Sequence, residues 1–246
     1  MKENSGICVI GIGPGNKEGM SFQAYDALLE ADAVVGYKAY VDLVREFIAG
    51  KDVYEQGMGG EIDRCQKALE WALAGRKVAL ICSGDAGVYG MASLMMEIAE
   101  PHSELEIEVV PGISAALSGA ALLGAPLSHD FAVISLSDYL VDWDTIVKRL
   151  RACAEADFCL ALYNPRSKAR PDYLQKAVEV LLAHKSPETV CGFARQIGRE
   201  GEEVGYMSLA ELKDFEADMF TTVFVGNSET RMINGKMLTP RGYKLG

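Results

Sequence analysis

Along most of the chain, short runs of branched apolar residues alternate with longer stretches in which apolar positions recur every three or four residues. The first pattern marks buried strands and the second amphipathic helices. Ile7-Cys8-Val9-Ile10 predicts the opening strand. Ser21 has the character of a helix N-cap, and Phe22, Tyr25, Leu28 and Leu29 lie along one face of a helix ending near Ala31. Ala33-Val34-Val35 predicts a second strand. The spacing of Tyr40, Val41, Val44, Phe47 and Ile48 predicts a helix over 38–49, and that of Ile62, Cys65, Leu69 and Leu73 another over 61–74. Between them a short strand at Val53-Tyr54 runs into Gln56-Gly57-Met58-Gly59-Gly60, which reads as a connector. Val78-Ala79-Leu80-Ile81-Cys82 contains only small or branched apolar types, the composition of a strand buried on both faces. A helix over 91–99, a strand over 106–110 and an alanine- and glycine-rich helix over 114–123 follow. Strands alternating with helices in this way predict an α/β domain on a mainly parallel sheet.

At Gly124-Ala125-Pro126-Leu127-Ser128-His129-Asp130 the composition changes. This stretch reads as a linker between an N-terminal domain, 1–124, and a C-terminal domain, 125–246. The second half predicts strands over 131–135 and 158–163 and helices over 142–154 and 172–184, with Trp143, Ile146, Val147 and Leu150 on the inner face of the first helix. Strands near 189–193, 203–207 and 222–225 then follow with little helix between them. Such neighbours pair antiparallel, so the second sheet is expected to be mixed.

Size and charge narrow the function. A chain of 246 residues, 49% apolar and 24% charged, can bury a substantial core. Its formal charge of -11 argues against a nucleic-acid partner, because neutralising phosphates requires a broad basic face. No apolar run approaches the roughly 18 residues of a membrane span, and Met1 to Gly6 leads into a strand with no secretory apolar region. The six cysteines form no C-x-x-C pair and fall in apolar periodic segments. They are expected to be reduced core residues of a cytoplasmic protein, with no metal bound. His129 reads as a structural hydrogen-bonder, and His102 and His184 stand at predicted helix ends.

Candidate chemistry gathers after the strands. Ligands of open parallel sheets sit beyond the carboxyl ends of the strands. There the strand 78–82 enters Ser83-Gly84-Asp85-Ala86-Gly87-Val88-Tyr89-Gly90, with three glycines and one formal charge. Asp85 is either a site residue or a turn-capping aspartate. The first strand enters Gly11-Ile12-Gly13-Pro14-Gly15, which invites comparison with a dinucleotide fingerprint. That fingerprint places its third glycine where Asn16 stands and an acid after the second strand, where Gly36-Tyr37 stand. In a chain this acidic, Arg166-Ser167-Lys168-Ala169-Arg170 puts three cations in five residues after a buried strand, and Arg195 and Arg199 end the next strand and its loop. Both clusters are expected on one rim, where guanidinium groups suit a polycarboxylate.

Three of these segments, Gly11 to Gly15, Ser83 to Gly90 and Pro111-Gly112-Ile113-Ser114-Ala115, resemble the N-terminal signatures of the tetrapyrrole methylases, in order and at family spacing. Within that family, Tyr163 to Pro171 and Gly198-Arg199-Glu200-Gly201-Glu202 resemble the branch that methylates C17 of precorrin-3B or its cobalt-containing counterpart in corrin synthesis. Many relatives carry proline where Ala86 stands. The resemblance implies two α/β domains with S-adenosylmethionine in the cleft between them, in a homodimer, and methyl transfer with ring contraction leaving S-adenosylhomocysteine. Any cobalt would be carried by the substrate. It implies Pro14, Ser83, Gly84, Asp85, Val88, Ser114, Ala115, Tyr163 and Gly205 on the cofactor side. Gly11, Gly13 and Gly15 would face the macrocycle, and Arg166, Lys168, Arg170 and Arg195 its carboxylate arms. Asp85 is also the candidate general base. A nucleotide-dependent oxidoreductase and a non-catalytic tetrapyrrole carrier are the competing readings.

Overall fold

The computed structural model describes residues 5–244. They divide into two compact units, one running to Ala115 and the other beginning at Ala116. The first unit alternates strand and helix: β1 (Gly6–Gly11), α1 (Phe22–Glu30), β2 (Ala33–Tyr37), α2 (Lys38–Leu43), β3 (Asp52–Gln56), α3 (Glu61–Leu73), β4 (Lys77–Cys82), α4 (Ala92–Ala99) and β5 (Glu106–Val110). The strands form one parallel sheet in the order β3-β2-β4-β1-β5. Because successive side chains point to opposite faces, a sheet covered on both sides needs apolar residues at every position. Ile7, Val9, Val78 and Leu80 pack with Cys65, Ala68 and Met95 on one face, while Cys8, Ile10, Ala79 and Ile81 pack with Ala24, Leu28 and Val41 on the other. Ser21 caps α1 by accepting from the Ala24 N–H at 3.1 Å. The helix expected over 38–49 is shorter: it ends at Val44 (φ -116°, ψ 9°), and a 3₁₀ turn, Arg45–Phe47, completes the segment.

The second unit holds α5 (Ala115–Leu123), β6 (Gly124–Ala125), β7 (Phe131–Ser135), α6 (Trp143–Glu155), β8 (Cys159–Tyr163), α7 (Tyr173–Leu182), β9 (Val190–Arg195), β10 (Glu203–Ser208), α8 (Leu209–Leu212), β11 (Thr221–Val225), β12 (Arg231–Ile233) and β13 (Lys236–Leu238). Its main sheet has the order β10-β9-β11-β8-β7. β7 and β8 run parallel, and β11 is antiparallel to both β8 and β9, so the mixed sheet is as expected. Buried Ile146, Leu150, Leu174 and Val178 pack α6 and α7 onto it, each contributing about 1.5–3 kcal/mol. Helix α6 is capped by Asp142, which accepts from the Thr145 N–H at 2.8 Å.

The division falls at the start of α5, whereas the composition change suggests its end. Packing explains the difference. The Tyr163 hydroxyl accepts from the Ala116 N–H at 2.7 Å, and the Leu122 and Leu123 carbonyls accept from Lys236 and Tyr206. A Cβ on Gly119 would come within 2.8 Å of the Phe224 ring, so the small residues of α5 serve close packing inside the second unit. A third sheet, β12-β13-β6, is absent from the sequence reading. Its strands are two or three residues long, too short to show a period.

All six cysteines are free, and five are buried. Burial pushes the Cys8 and Cys82 thiols up to about 11 and those of Cys65 and Cys191 to about 12. Among the described residues, no helix is long and apolar enough to cross a membrane.

Candidate active site

Strands β1, β4 and β5 are parallel neighbours, so the segments leaving their carboxyl ends start side by side. Gly13 and Gly84 exchange two main-chain hydrogen bonds, at 3.1 and 2.8 Å. A Cβ on Gly11 would lie 2.7 Å from both Gly112 N and Gly84 O, and one on Gly112 would lie 2.1 Å from Gly84 O and 2.5 Å from Gly11 O. Three main chains thus meet with no side chain between them. Gly11, expected to face the macrocycle, is committed to this contact. Gly13 (φ +72°) is likewise constrained from within, its missing Cβ lying 2.3 Å from Gly19 O. Gly15 (φ +141°) is half-buried.

Asp85 closes the assembly. Its Oδ1 accepts from the Gly87 and Val88 N–H groups at 2.8 and 3.1 Å, and its Oδ2 from the Gly112 N–H at 3.0 Å. The carboxylate therefore shapes its own loop and ties it to the segment after β5. Both oxygens are occupied in a holding role. Around this brace stand Pro14 and Ser83, half-buried, and Ser114, 7% exposed. Val88 and Tyr89 are exposed, and Tyr89 lies at φ +55°, a strained conformation for an aromatic residue of the kind found at ligand-binding loops. Hydroxyls and main-chain groups dominate this rim, and among the described residues no cluster of His, Cys, Asp or Glu is placed to hold a metal.

In the second unit, β7, β8 and β9 run in one direction, so their carboxyl ends share an edge. Both basic clusters emerge there, as the sequence predicts. Their states differ. Arg195 spends every nitrogen internally: Nε donates to Thr221 Oγ1 at 3.2 Å, Nη1 to Glu203 at 3.0 Å and Nη2 to the Glu216 carbonyl at 3.0 Å. Its guanidinium also lies over the Phe193 and Phe215 rings. It braces the rim with three of its five N–H groups. Arg166 makes only a 3.7 Å ion pair with exposed Glu216. Lys168 is exposed and has no partner among the described residues. Arg170 donates through Nε to Asp138, which also accepts from the Tyr173 hydroxyl at 2.5 Å. These bonds hold the Asp138 carboxyl below the usual carboxylate range and push the Tyr173 hydroxyl up. Asp138 and Tyr173 escaped the sequence reading; the only signal was an acid in the loop after β7. Tyr163 serves Ala116, near the start of α5. Gly205 is small because the Phe193 ring lies 2.4 Å from where its Cβ would be.

The comparisons with known proteins agree with this arrangement. The family profile of the Tetrapyrrole (Corrin/Porphyrin) Methylases matches residues 6–213. The chain belongs to the tetrapyrrole methylases. It is 48% identical over 241 residues to the probable cobalt-factor III C(17)-methyltransferase of Salmonella typhimurium, covering 97% of this chain and all of the relative. A precorrin-3B C(17)-methyltransferase of a Sinorhizobium species is 39% identical over 250 residues, covering 96% of each. Among solved structures, that of the methyltransferase CobJ aligns with a TM-score of 0.89 and 38% identity over 96% of this methylase and all of the other chain. The tetrapyrrole methylase described here is thus a methyltransferase of two α/β units whose sheets, parallel in the first and mixed in the second, are those its sequence predicts.

Proposed function

We propose that this methylase transfers a methyl group from S-adenosylmethionine to C17 of precorrin-3B or its cobalt-containing counterpart during corrin synthesis, with contraction of the ring. The observation that carries the reading is full-length identity of 48% with a relative named for C17 methylation of cobalt-factor III. Identity to the precorrin-3B relative is lower, at 39%, which favours the cobalt-containing substrate. The cobalt would be held by the macrocycle.

The rim of the first unit suits the methyl donor. Its main chains approach one another with no Cβ between them, and serines and exposed Val88 and Tyr89 offer polar and apolar contacts to a nucleoside and an amino-acid tail. Pro14, Ser83, Gly84, Asp85, Val88, Ser114 and Ala115 would hold it. When bound, S-adenosylmethionine supplies a methyl group on a sulfonium that already leaves readily. The protein's part is then to hold the attacking carbon in line at roughly 3–3.5 Å and to exclude water. Asp85 fixes the loops that do this. Gly15, Arg166, Lys168 and Arg170 would face the pigment. The reading places the enzyme in the cytoplasm as a homodimer.

Incubation with S-adenosylmethionine and precorrin-3 species, with and without cobalt, followed by product mass, tests this. A gain of one methyl group on the cobalt form is expected. No gain on either form, with the pigment still bound, would leave the carrier reading in place; retention of a nicotinamide or flavin would favour the oxidoreductase.

A further inference from the structure

Helix α3 begins under the segment that leaves β3, and its first turn carries a buried cation. The Arg64 side chain is 4% exposed. Its Nη1 donates to the Gly57 carbonyl and its Nη2 to Glu61, both at 3.0 Å, while Nε is buried with no partner. Gln56, just before the glycines, donates through Nε2 to the Tyr54 hydroxyl at 2.6 Å, and its Oε1 is also buried with no partner. The two side chains meet beneath Gly60: a Cβ there would lie 2.3 Å from Gln56 Oε1 and 3.5 Å from Arg64 Nη1. A buried donor and a buried acceptor left unpaired in one cluster each carry a desolvation cost that a hydrogen bond would remove. Above this cluster Gly57, Met58 and Gly59 are exposed, and a Cβ on Gly57 or Gly59 would meet nothing within 4 Å. Close packing does not require these two glycines; what they supply is backbone freedom. A turn with so little buried contact has low local stability. Arg64 also stands near the end of β4, where its charge opposes the burial that raises the Cys82 thiol. It therefore lies between the turn after β3 and the loop that opens with Ser83.

We propose that residues 57–60 are a strap that closes over the rim of the first unit when ligand is bound, and that Arg64 is the positioning residue that latches it. The strap leaves β3 on the same edge as the glycine loops after β1 and β4, since the sheet is parallel. At that edge Val88 and Tyr89 are open to solvent, and transfer of a sulfonium methyl group to carbon needs water excluded. Bound ligand supplies the differential contact that closure requires, and the movement lets Arg64 Nε and Gln56 Oε1 gain partners. The strap rests on the proposed methyl transfer for the identity of its ligands and adds to it the element that covers them.

Hydrogen exchange of the full chain, followed by mass spectrometry on peptides spanning 56–61, compares the free protein with protein saturated in S-adenosylhomocysteine and uroporphyrin, a metal-free carboxylated porphyrin. Exchange at 57–60 is expected to slow by about 10-fold or more when both are bound. Arg64→Met should abolish that slowing and lower kcat on the cobalt-containing substrate by about 10- to 100-fold, the value of a lost charge-assisted contact, with the S-adenosylhomocysteine Kd unchanged. Exchanging a buried charge for an apolar side chain is often tolerated by a fold. Arg64→Lys, which keeps the charge but not the fork, should recover part of kcat. A merely structural arginine would move the melting temperature and leave the ligand-dependent exchange in place. Gly60→Ala, which drives a Cβ between Gln56 and Arg64, should also lower kcat and weaken the slowing, which keeps the proposal testable if Arg64→Met fails to fold. Equal exchange at 57–60 with and without ligands, or an unchanged kcat in folded Arg64→Met and in Gly60→Ala, would overturn the strap while leaving methyl transfer intact. Ligand-dependent slowing that requires Arg64, in a protein that methylates neither form of the pigment, would instead overturn the proposed function and leave the strap standing.

Discussion

Replacing Gly112 by alanine tests the main-chain packing that organises the first unit. The new Cβ would lie 2.1 Å from Gly84 O, 2.5 Å from Gly11 O and 2.6 Å from Gly11 C. All three are backbone atoms of other segments, so no side chain can swing aside to make room. The segments after β1, β4 and β5 must separate instead, and the Asp85 bond to the Gly112 N–H is strained with them. Overpacking against side chains costs about 1–3 kcal/mol, and a weakened hydrogen bond to a charged group about 1.5–3 kcal/mol. Gly112→Ala should therefore destabilise the first unit by about 3–5 kcal/mol, lowering its melting temperature by roughly 6–20 °C at about 2–4 °C per kcal/mol. Trp71, in α3, reports on that unit by fluorescence once Trp143, in α6, is replaced by phenylalanine. Gly57→Ala is the control, since a Cβ there meets nothing within 4 Å; it should be neutral or stabilise by up to about 1 kcal/mol. A urea midpoint for Gly112→Ala matching that of Gly57→Ala would refute the packing argument.

Other expectations follow from the same geometry. Arg195→Ala removes the contacts to Thr221, Glu203 and Glu216 and should lower stability by about 1–3 kcal/mol with no selective rise in the KM for the pigment; a KM effect without a stability loss would return Arg195 to the ligand. With thiols raised by burial, native protein at pH 8 should react with a thiol reagent at Cys153 at most, and at all six positions after unfolding; mass spectrometry decides. Tyr173 has a raised value because it donates to Asp138, so its contribution to stability is present below the ordinary tyrosine value near ~10 and is lost as pH rises through the folded one. Asp138 has a lowered value, so its contribution is present above the ordinary carboxylate value near ~3.9 and is lost as pH falls through the folded one. Tyr173→Phe should flatten both limbs of a melting-temperature profile, and an unchanged profile would sink the assignment. Asp85→Ala should abolish turnover in a folded chain, whereas Asp85→Asn, which keeps one accepting oxygen, should retain a measurable fraction. Equal losses in kcat/KM would show that the carboxylate does more than hold.

Much of the fold was legible because buried parallel strands and covering helices write different periods. Strands β1, β4 and β8 stood out as apolar runs, Lys77 at the start of β4 apart, and Ser21 and Asp142 marked helix starts that the hydrogen bonds bear out. What the periods missed lacked length: β6, β12 and β13 are two or three residues each, and α8 is one turn held by the Ser208–Glu211 capping box. The start of the second unit was hidden for a different reason. Alanine and glycine in α5 say that something approaches closely, but not that it is Phe224, a hundred residues away. At the site, the sequence located the glycine loops and the basic clusters but could not say which cations were already spent. Arg170 and Arg195 look alike in the sequence; only the structure shows that Arg195 is bonded through all three nitrogens, to Thr221, Glu203 and Glu216, and Arg170 through Nε to Asp138.

That distinction bears on how a chain with little conventional acid–base equipment at its rim could accelerate a carbon methylation. Asp85 holds three main-chain N–H groups through its two oxygens, contacts of a kind worth about 1.5–3 kcal/mol each. One of them is a side-chain tie between the loops after β4 and β5. A side chain so engaged stiffens the site. Rate enhancement then rests on orientation. Aligning two reactants can contribute about 7–11 kcal/mol when both are held in register, and register is what three main chains packed without side chains, locked by one aspartate, are able to keep.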